Sequence, residues 1–117
     1  MTINRQWLLA ERPTGMVGPH NFDYAETPMP EPKSDEVLVK NLFLSFDPAQ
    51  RNWMVDRKAY LPPVAIGEPM RAASVGRVID SQHAEYEVGD LVQTTGYWQD
   101  YVVAAPGEGP MGLVKLP

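Results

Sequence analysis

The stretch from residue 36 to residue 46 limits the possible folds of this chain more than any other stretch. Its apolar side chains alternate onto both faces of an extended strand: Val37, Val39 and Phe43 on one, and Leu38, Leu42, Leu44 and Phe46 on the other. A strand that is apolar on both faces has to be covered on both faces. We therefore predict a central strand over 36–46 and a core that includes the following residues: Val37, Val39, Phe43, Val75 and Val92.

This strand runs directly into Asp47-Pro48, which predicts a sharp change of backbone structure. Proline is preset for the first turn of a helix, and an aspartate before it can cap the free N–H groups of that turn. A short helix is expected within 48–57. The hinge from strand to helix would place Gln50 and Arg51 at a strand end, where a cleft can form.

The rest of the chain predicts a mainly β fold, because helical periodicity is almost absent and 12 of the 117 residues are proline. Short apolar stretches separated by proline, glycine and aspartate are typical of strands with irregular connections. Pro28, Pro30 and Pro32 should force an extended segment that is not part of a ladder. Gly76, inside a strand pattern, indicates a bulge or a close backbone crossing. We predict a partly open β-barrel with one or two short helices and six or seven strands, the strands over 3–11, 22–26, 36–46, 72–79, 91–95, 99–104 and 114–116.

Composition excludes several classes of function. The chain has a formal charge of −5, which disfavours nucleic acid and anionic membranes as partners. It has no cysteine, so disulfides and thiolate–zinc sites are excluded, and its two histidines, His20 and His83, lack metal-ligand spacing. No metal is expected. There is no apolar run of membrane-spanning length and no signal-peptide pattern at the N-terminus, so a cytoplasmic location is expected.

No complete catalytic constellation is visible in the sequence. The spacing of Gly107-Glu108-Gly109-Pro110-Met111-Gly112 matches a dinucleotide-binding turn, but no helix pattern follows it. That spacing has meaning only between a strand and a helix, so we interpret this match as chance.

Four polar or aromatic residues near predicted strand ends are candidates for a site. The guanidinium of Arg51 can hold a phosphate or carboxylate, although a solvated arginine at a helix end is the commoner outcome. The phenol of Tyr60 precedes Pro62 and Pro63 and can hydrogen-bond a substrate carbonyl, although a packing tyrosine is commoner. Tyr97 and Trp98 follow a glycine turn and can form a pocket wall or pack in the core.

Several pieces of the chain, in order, resemble one protein family. They are Arg5-Gln-Trp-Leu-Leu-Ala-Glu-Arg-Pro13 with Gly15, Asn21-Phe22, Glu36-Val-Leu-Val39, Leu42-Phe-Leu-Ser-Phe-Asp-Pro48 with Arg51, Tyr60-Leu-Pro-Pro-Val-Ala-Ile-Gly67, Val75-Gly-Arg-Val78, Gly89-Asp-Leu-Val92 and Gly96-Tyr-Trp-Gln-Asp-Tyr101. Together they resemble the GroES-like N-terminal domain of zinc-free medium-chain dehydrogenase/reductases. The most similar branch contains prostaglandin reductases, leukotriene hydroxydehydrogenases, alkenal double-bond reductases and bacterial curcumin reductase.

The resemblance implies NADP(H)-dependent reduction of the C=C bond of α,β-unsaturated ketones or aldehydes, without zinc. It assigns Asp47, Pro48 and Arg51 to the cofactor side, and Tyr60 to the substrate side as the catalytic residue. It also implies that Ala49, Tyr97 and Trp98 line the substrate site. Relatives in this branch have Tyr-Met where this chain has Ala49-Gln50, so one aromatic wall is missing and the usual substrate range is in question.

The resemblance also implies a division of labour within a longer enzyme. Residues 1–117 would be the substrate-side domain, and a C-terminal Rossmann domain, absent from this chain, would hold most of the cofactor. The isolated domain is then expected to be inactive. Its partners would be a small enone or enal and its own Rossmann domain, and a homodimer is left open. Two alternatives stay open: a stand-alone binding or assembly module, and a co-chaperonin, for which residues 12–21 are too short a mobile loop.

Overall fold

Strands dominate the part of the chain that the computed structural model describes, which is residues 2–46, 49–55, 62–106 and 112–117. The elements, in order, are β1 (Ile3–Leu9), a 3-10 turn (Pro19–Asn21), β2 (Phe22–Pro28), β3 (Val37–Leu44), α1 (Ala49–Trp53), β4 (Ala73–Ser81), β5 (Leu91–Thr95), β6 (Tyr101–Ala104) and β7 (Val114–Lys115). No helix within these ranges has the length and apolar character needed to cross a membrane.

The strands form two antiparallel sheets that do not close on each other. β1 and β2 form a ribbon, and the other five strands lie in the order β6-β3-β4-β5-β7. Isolated bridges from Gln6 to Gln99 and from Leu8 to Pro69 connect the ribbon to the rest of the molecule. The predicted mainly β, partly open fold is therefore confirmed.

β3 is the central strand, and its first half is covered on both faces as predicted. It pairs with β4 on one side, and residues 37–40 pair with β6 on the other. The side chains of Val37, Leu38 and Val39 are at most 1% exposed. Two-sided coverage, predicted from the apolar pattern, holds for this half of the strand.

The prediction is wrong for the second half of the strand. Phe43 is 72% exposed and Phe46 is 81% exposed, and Leu42 is also on the surface. Pairing with β6 stops at Lys40, and the register against β4 shifts between Asn41 and Phe43. Beyond that point the side chains of Leu42, Phe43 and Phe46 lie on the surface, so Phe43 does not belong to the core.

Of the two other residues predicted for the core, one is buried and one is not. Val92 is fully buried, whereas Val75 is only half-buried.

Pro28 was expected to leave the ladder, but it pairs with Ile3 at the last position of β2. A proline is tolerated there because it lies at a strand end and needs no further N–H donor.

Gly76 lies at a close crossing, as its position in the strand pattern predicted. A Cβ atom added there would lie 2.5 Å from the Lys40 carbonyl oxygen on β3. The facing strand carries the two register shifts described above. Only glycine allows β3 and β4 to approach this closely.

Two separate apolar clusters form the core. One lies within the five-stranded sheet and contains Val37, Val39, Val78, Val92, Val102 and Leu113. The other consists of Leu9, Met54, Val64 and Met70, with Trp53 and Trp98 packed against it. This second cluster connects β1 to the end of α1 and to the chain around residues 64–70, so it supports the site described next.

The contrast between Leu38 and Phe43 gives a stability test. Leu38→Ala should lower the free energy of unfolding by about 2–5 kcal/mol, because it opens a cavity in a fully buried site. Phe43→Ala should change it by less than about 1 kcal/mol, because the ring is already in solvent. Urea denaturation of the 117-residue chain measures both values, and a loss of several kcal/mol for Phe43→Ala would show that its ring is buried.

Candidate functional site

A cleft of about 740 Å³ lies between the β1–β2 ribbon and the end of β3. Its walls come from four parts of the chain: the ribbon, the 3-10 turn, the end of β3, and the loop before β6. The lining residues are Arg5, Trp7, Pro19, Phe22, Tyr24, Leu44, Phe46, Trp98, Gln99 and Asp100. An open, mostly apolar cleft of this size can hold a small organic molecule.

Aromatic rings form the wall of the cleft. The ring centroids of Phe22 and Trp98 are 5.1 Å apart, and those of Phe46 and Trp98 are 6.1 Å apart. Trp7 and Tyr24 form a second pair with centroids at 5.3 Å. Their faces suit a flat, apolar ligand that stacks rather than one held by many hydrogen bonds.

Backbone hydrogen bonds hold Trp98 in this wall. Its N–H donates to the Met70 carbonyl at 2.9 Å, and its carbonyl accepts from the Trp7 N–H at 2.9 Å. Its indole Nε1 is buried with no hydrogen-bond partner within the described ranges. Trp98 is therefore anchored through its main chain, and its ring is held by packing.

An ion pair closes the polar side of the cleft. The guanidinium of Arg5 donates from Nε to Asp100 Oδ2 at 2.8 Å and from Nη2 to Oδ1 at 3.0 Å. The main-chain N–H of Arg5 also donates to Oδ2, at 3.0 Å. These bonds, led by the Arg5 side chain, lower the pKa of Asp100 below its ordinary value, although partial burial acts in the opposite direction.

Asn4 secures the same loop from the other side. Its side-chain Oδ1 accepts from the main-chain N–H groups of Asp100, at 3.1 Å, and Tyr101, at 2.9 Å. Its Nδ2 donates to Gln99 Oε1 at 3.0 Å. Residues 99–101 are thus tied to β1 through main-chain and side-chain bonds, which makes this edge of the cleft rigid.

The predicted site residues have different locations. Asp47, Pro48 and Tyr60 lie outside the described residues. Ala49 is the first residue of α1. Arg51 lies on α1, and its Nη2 donates to the Gly15 carbonyl at 2.9 Å, so this nitrogen joins the helix to the loop before the 3-10 turn.

Tyr97 and Trp98 are neighbours in sequence but pack against different parts of the molecule. Trp98 lines the cleft, whereas Tyr97 packs on the apolar cluster of the five-stranded sheet. Tyr97 has a φ of 60°, a left-handed conformation that is unusual for a residue other than glycine.

Gln50, predicted to lie at a strand end where a cleft can form, is only 4% exposed. Its Nε2 donates to the Ser45 carbonyl at 2.7 Å and so braces the connection between β3 and α1. The hinge after the central strand is therefore held by a buried amide side chain.

Most of the cleft was not predicted from the sequence. Arg5, Trp7, Phe22 and Tyr24 belong to strands whose alternation marks an exposed face but gives no sign of what lies opposite. Arg5 and Asp100 are 95 residues apart, so their pairing leaves no local pattern. The one available signal was the run of aromatic residues in β1, β2 and the loop before β6.

The described residues contain no group of three or more His, Cys, Asp or Glu side chains that could hold a metal ion.

The comparisons with known proteins agree with this architecture. A family model described as the N-terminal domain of oxidoreductase matches residues 5–113. The chain belongs to this family of oxidoreductase N-terminal domains. The family and branch predicted from the sequence motifs are confirmed.

Individual relatives lie in the same branch. The NADPH-dependent curcumin reductase of Escherichia coli (strain K12) is 41% identical over 113 residues, covering 97% of this chain and 32% of that protein. The 2-alkenal reductase (NADP(+)-dependent) of Nicotiana tabacum is 37% identical over 76 residues, covering 62% of this chain and 22% of that protein.

Among solved structures, CurA from Vibrio vulnificus is 42% identical, with a TM-score of 0.86. The structure of the same protein in complex with NADPH gives a TM-score of 0.84. Each alignment covers 97% of this chain and 33% of that protein. The chain therefore spans about a third of the length of these relatives.

The Arg5–Asp100 pair predicts a loss of stability in acid. Because the pKa of Asp100 is lower in the folded chain, the unfolded chain takes up this proton first, and stability falls as the pH drops below about 4 toward the folded pKa. Asp100→Asn should reduce the slope of unfolding free energy against pH in that window. Urea titrations at several pH values measure it, with Asp23→Asn on the exposed face of β2 as the control.

An equal slope for Asp100→Asn and the parent chain would show that the Arg5–Asp100 pair contributes nothing to folding.

Proposed function

We propose that this chain is the substrate-side domain of an NADP(H)-dependent reductase that acts on the C=C bond of α,β-unsaturated ketones or aldehydes. Within the larger enzyme, a separate cofactor domain, outside residues 1–117, would hold most of the dinucleotide. The barrel would be of the GroES-like type found at the N-terminus of medium-chain reductases.

The observation that carries this proposal is the match to the Vibrio vulnificus CurA–NADPH complex over 97% of this chain. The names of the E. coli and tobacco relatives support the same chemistry, because both are reductases that depend on NADPH or NADP(+). Since the chain spans about a third of these proteins, the proposal concerns the whole enzyme and the part that this domain plays in it.

The described residues fit only the ring end of such a cofactor and its substrate. The aromatic cleft can accept flat apolar groups, but α1 has five residues, and within the described ranges no glycine-rich turn leads into a long helix that could bind a pyrophosphate. When bound, NADPH would supply the hydride. The resemblance assigns Asp47, Pro48 and Arg51 to the cofactor side of the site.

The aromatic cleft would hold the apolar body of the substrate. Trp98, anchored by main-chain bonds to Trp7 and Met70, provides a rigid surface, and Phe22 and Phe46 flank it. Relatives carry a tyrosine at the start of α1, where this chain has Ala49. We propose that Trp98 supplies the aromatic contact that is missing at Ala49.

Tyr60 would act on the substrate carbonyl. Its phenol can donate a hydrogen bond to the oxygen on which negative charge grows as the conjugated double bond is reduced. No metal is needed for this role. In the region where zinc-dependent members of the superfamily carry a Gly-His-Glu ligand pair, this chain reads Gly67-Glu68-Pro69, and it contains no cysteine.

The role of Tyr60 predicts a specific kinetic defect. In the full-length protein, Tyr60→Phe should lower kcat for an enone by roughly 100-fold, because one donor to the developing oxyanion is lost. KM for NADPH and the free energy of unfolding should stay nearly unchanged. Steady-state assays of NADPH oxidation with several enones measure the effect.

A Trp98→Leu variant provides the comparison, because it should raise KM for aromatic enones more than it lowers kcat. Equal activity of Tyr60→Phe and the parent on all enones tested would remove Tyr60 from the site. Loss of activity on His83→Ala, which lies away from the cleft, would point to a different site altogether.

The division into two domains predicts weak cofactor binding by this part alone. The 117-residue chain should bind NADPH with a Kd weaker than about 100 μM, because its described part offers no long helix whose N-terminus could neutralise a pyrophosphate. Isothermal titration calorimetry measures this directly. A Kd in the low micromolar range would mean that the cofactor site lies on this chain.

A further inference from the structure

Asn41 is a polar residue in the middle of the apolar central strand β3. It follows Lys40, the last β3 residue that pairs with β6, and the register against β4 shifts between Asn41 and Phe43. Its main-chain N–H donates to the Asp100 carbonyl at 2.8 Å, just before β6 begins. Asparagine is disfavoured within strands, because its side chain competes for main-chain hydrogen bonds. Its presence here points to a role for its side-chain contacts.

The side chain of Asn41 bonds the loop that connects β5 to β6, which we call the 96–100 loop. Asn41 Nδ2 donates to the Gly96 carbonyl at 3.0 Å and to the Gln99 carbonyl at 2.9 Å. An amide nitrogen has two N–H donors, and both of them are used on this loop. The two carbonyls lie on either side of Trp98 in the sequence, so one side chain fastens the backbone that carries this ring.

The 96–100 loop needs such support because its backbone is strained. Tyr97 has a φ of 60°, a left-handed conformation that is unfavourable for a residue with a side chain. Tyr97 packs against the apolar cluster of the five-stranded sheet, whereas Trp98 lines the cleft. A strained turn that separates two neighbouring rings in this way persists only where the surrounding structure holds it.

Asn41 and the loop are also in close contact at Gly96. A Cβ atom added to Gly96 would lie 2.5 Å from Asn41 Oδ1 and closer still to Ser74 Oγ on β4. The Gly96 N–H donates to the Ala72 carbonyl at 3.0 Å. The start of the loop is therefore fitted tightly between β3 and β4, and its position relative to the central strands is fixed.

We propose that Asn41 is a positioning residue, which fixes Trp98 in the wall of the cleft and thereby sets the affinity for flat aromatic substrates. The consequence for substrates rests on the proposed function, whereas the role of Asn41 in fixing the loop does not. The Trp98 ring contacts those of Phe22 and Phe46, so a displaced loop would separate the rings of the wall. Asn41 does not itself line the cleft and acts through Trp98.

Hydrogen exchange of the full-length protein tests the structural part. Asn41→Leu keeps a side chain of similar shape but removes both donors, so the main-chain N–H groups of the 96–100 loop should exchange about 10-fold faster or more. Asn41→Ala should show the same acceleration and covers the case in which Asn41→Leu does not fold. Leu38→Ala is the matched control, because Leu38 is buried on the same strand but its side chain has no donor for the loop.

Unchanged exchange of the 96–100 loop in both Asn41 variants would overturn the proposal. So would an equal acceleration in Leu38→Ala, because the loop would then respond to a general loss of stability rather than to the loss of its bonds with Asn41.

Enone reduction tests the consequence for substrates. Asn41→Leu should raise KM for an enone that bears an aromatic ring by about 10-fold and change kcat less, because the ring loses its ordered wall. KM for a small aliphatic enone and KM for NADPH should stay within about 2-fold of the parent values, since neither depends on the Trp98 ring. In a Trp98→Leu background, Asn41→Leu should cause little further rise in KM, because Asn41 acts through Trp98.

An equal rise in KM for the aromatic and the aliphatic enone would contradict the proposed route, and so would effects of the two substitutions that multiply. If the parent protein reduces no enone at all, the proposed function fails, while the exchange result still decides whether Asn41 fixes the loop.

Discussion

The structure depends on the double pairing of β3 between β4 and β6. Residues 37–40 pair with a strand on each side, and the side chains of Val37, Leu38 and Val39, which point to both faces of the sheet, are inaccessible to water. The close approach at Gly76 is required for that pairing. Beyond the pairing with β6, Leu44 at the end of β3 and Phe46 just after it line the cleft. The same strand therefore forms the core with one half and the site with the other.

Local patterns predicted the elements well. The strand at 91–95 has the predicted bounds, and the short helix after Asp47-Pro48 is present as Ala49–Trp53. These features follow from residues close in sequence: alternation, turn residues and a preset proline. Phe43 shows the limit of this reasoning, because its exposure depends on what packs over its face of the sheet, and alternation within β3 carries no information about that.

Local sequence patterns could not predict the cleft, for the same reason. Its walls meet through contacts such as Arg5–Asp100 and Phe22–Trp98, between residues that are far apart along the chain. Trp98 could be singled out as an aromatic residue at a turn, but nothing local distinguishes it from Tyr97, which packs in the core instead. Motif resemblance predicted the family, which periodicity could not, because its motifs come from several elements of the fold rather than from one.

Three arginines around α1 show how position decides the role of a charge. Arg12, Arg51 and Arg71 each donate to a main-chain carbonyl, those of Met54, Gly15 and Pro62. Considered alone, an arginine at a strand end suggests an anion site. Here the guanidinium groups fasten irregular backbone, which has unpaired carbonyls, around the short helix. Side-chain hydrogen bonds thus hold the chain around α1, whereas backbone hydrogen bonds between strands hold the sheets.

The central claim is that this domain serves a reductase of conjugated C=C bonds, and the identity of the product tests it most directly. Full-length protein incubated with NADPH and an α,β-unsaturated ketone should consume both in equal amounts and give the saturated ketone, identified by NMR spectroscopy or mass spectrometry. Formation of the allylic alcohol, by reduction of the carbonyl with the double bond intact, would contradict the claim. So would the absence of NADPH oxidation with every enone and enal tested.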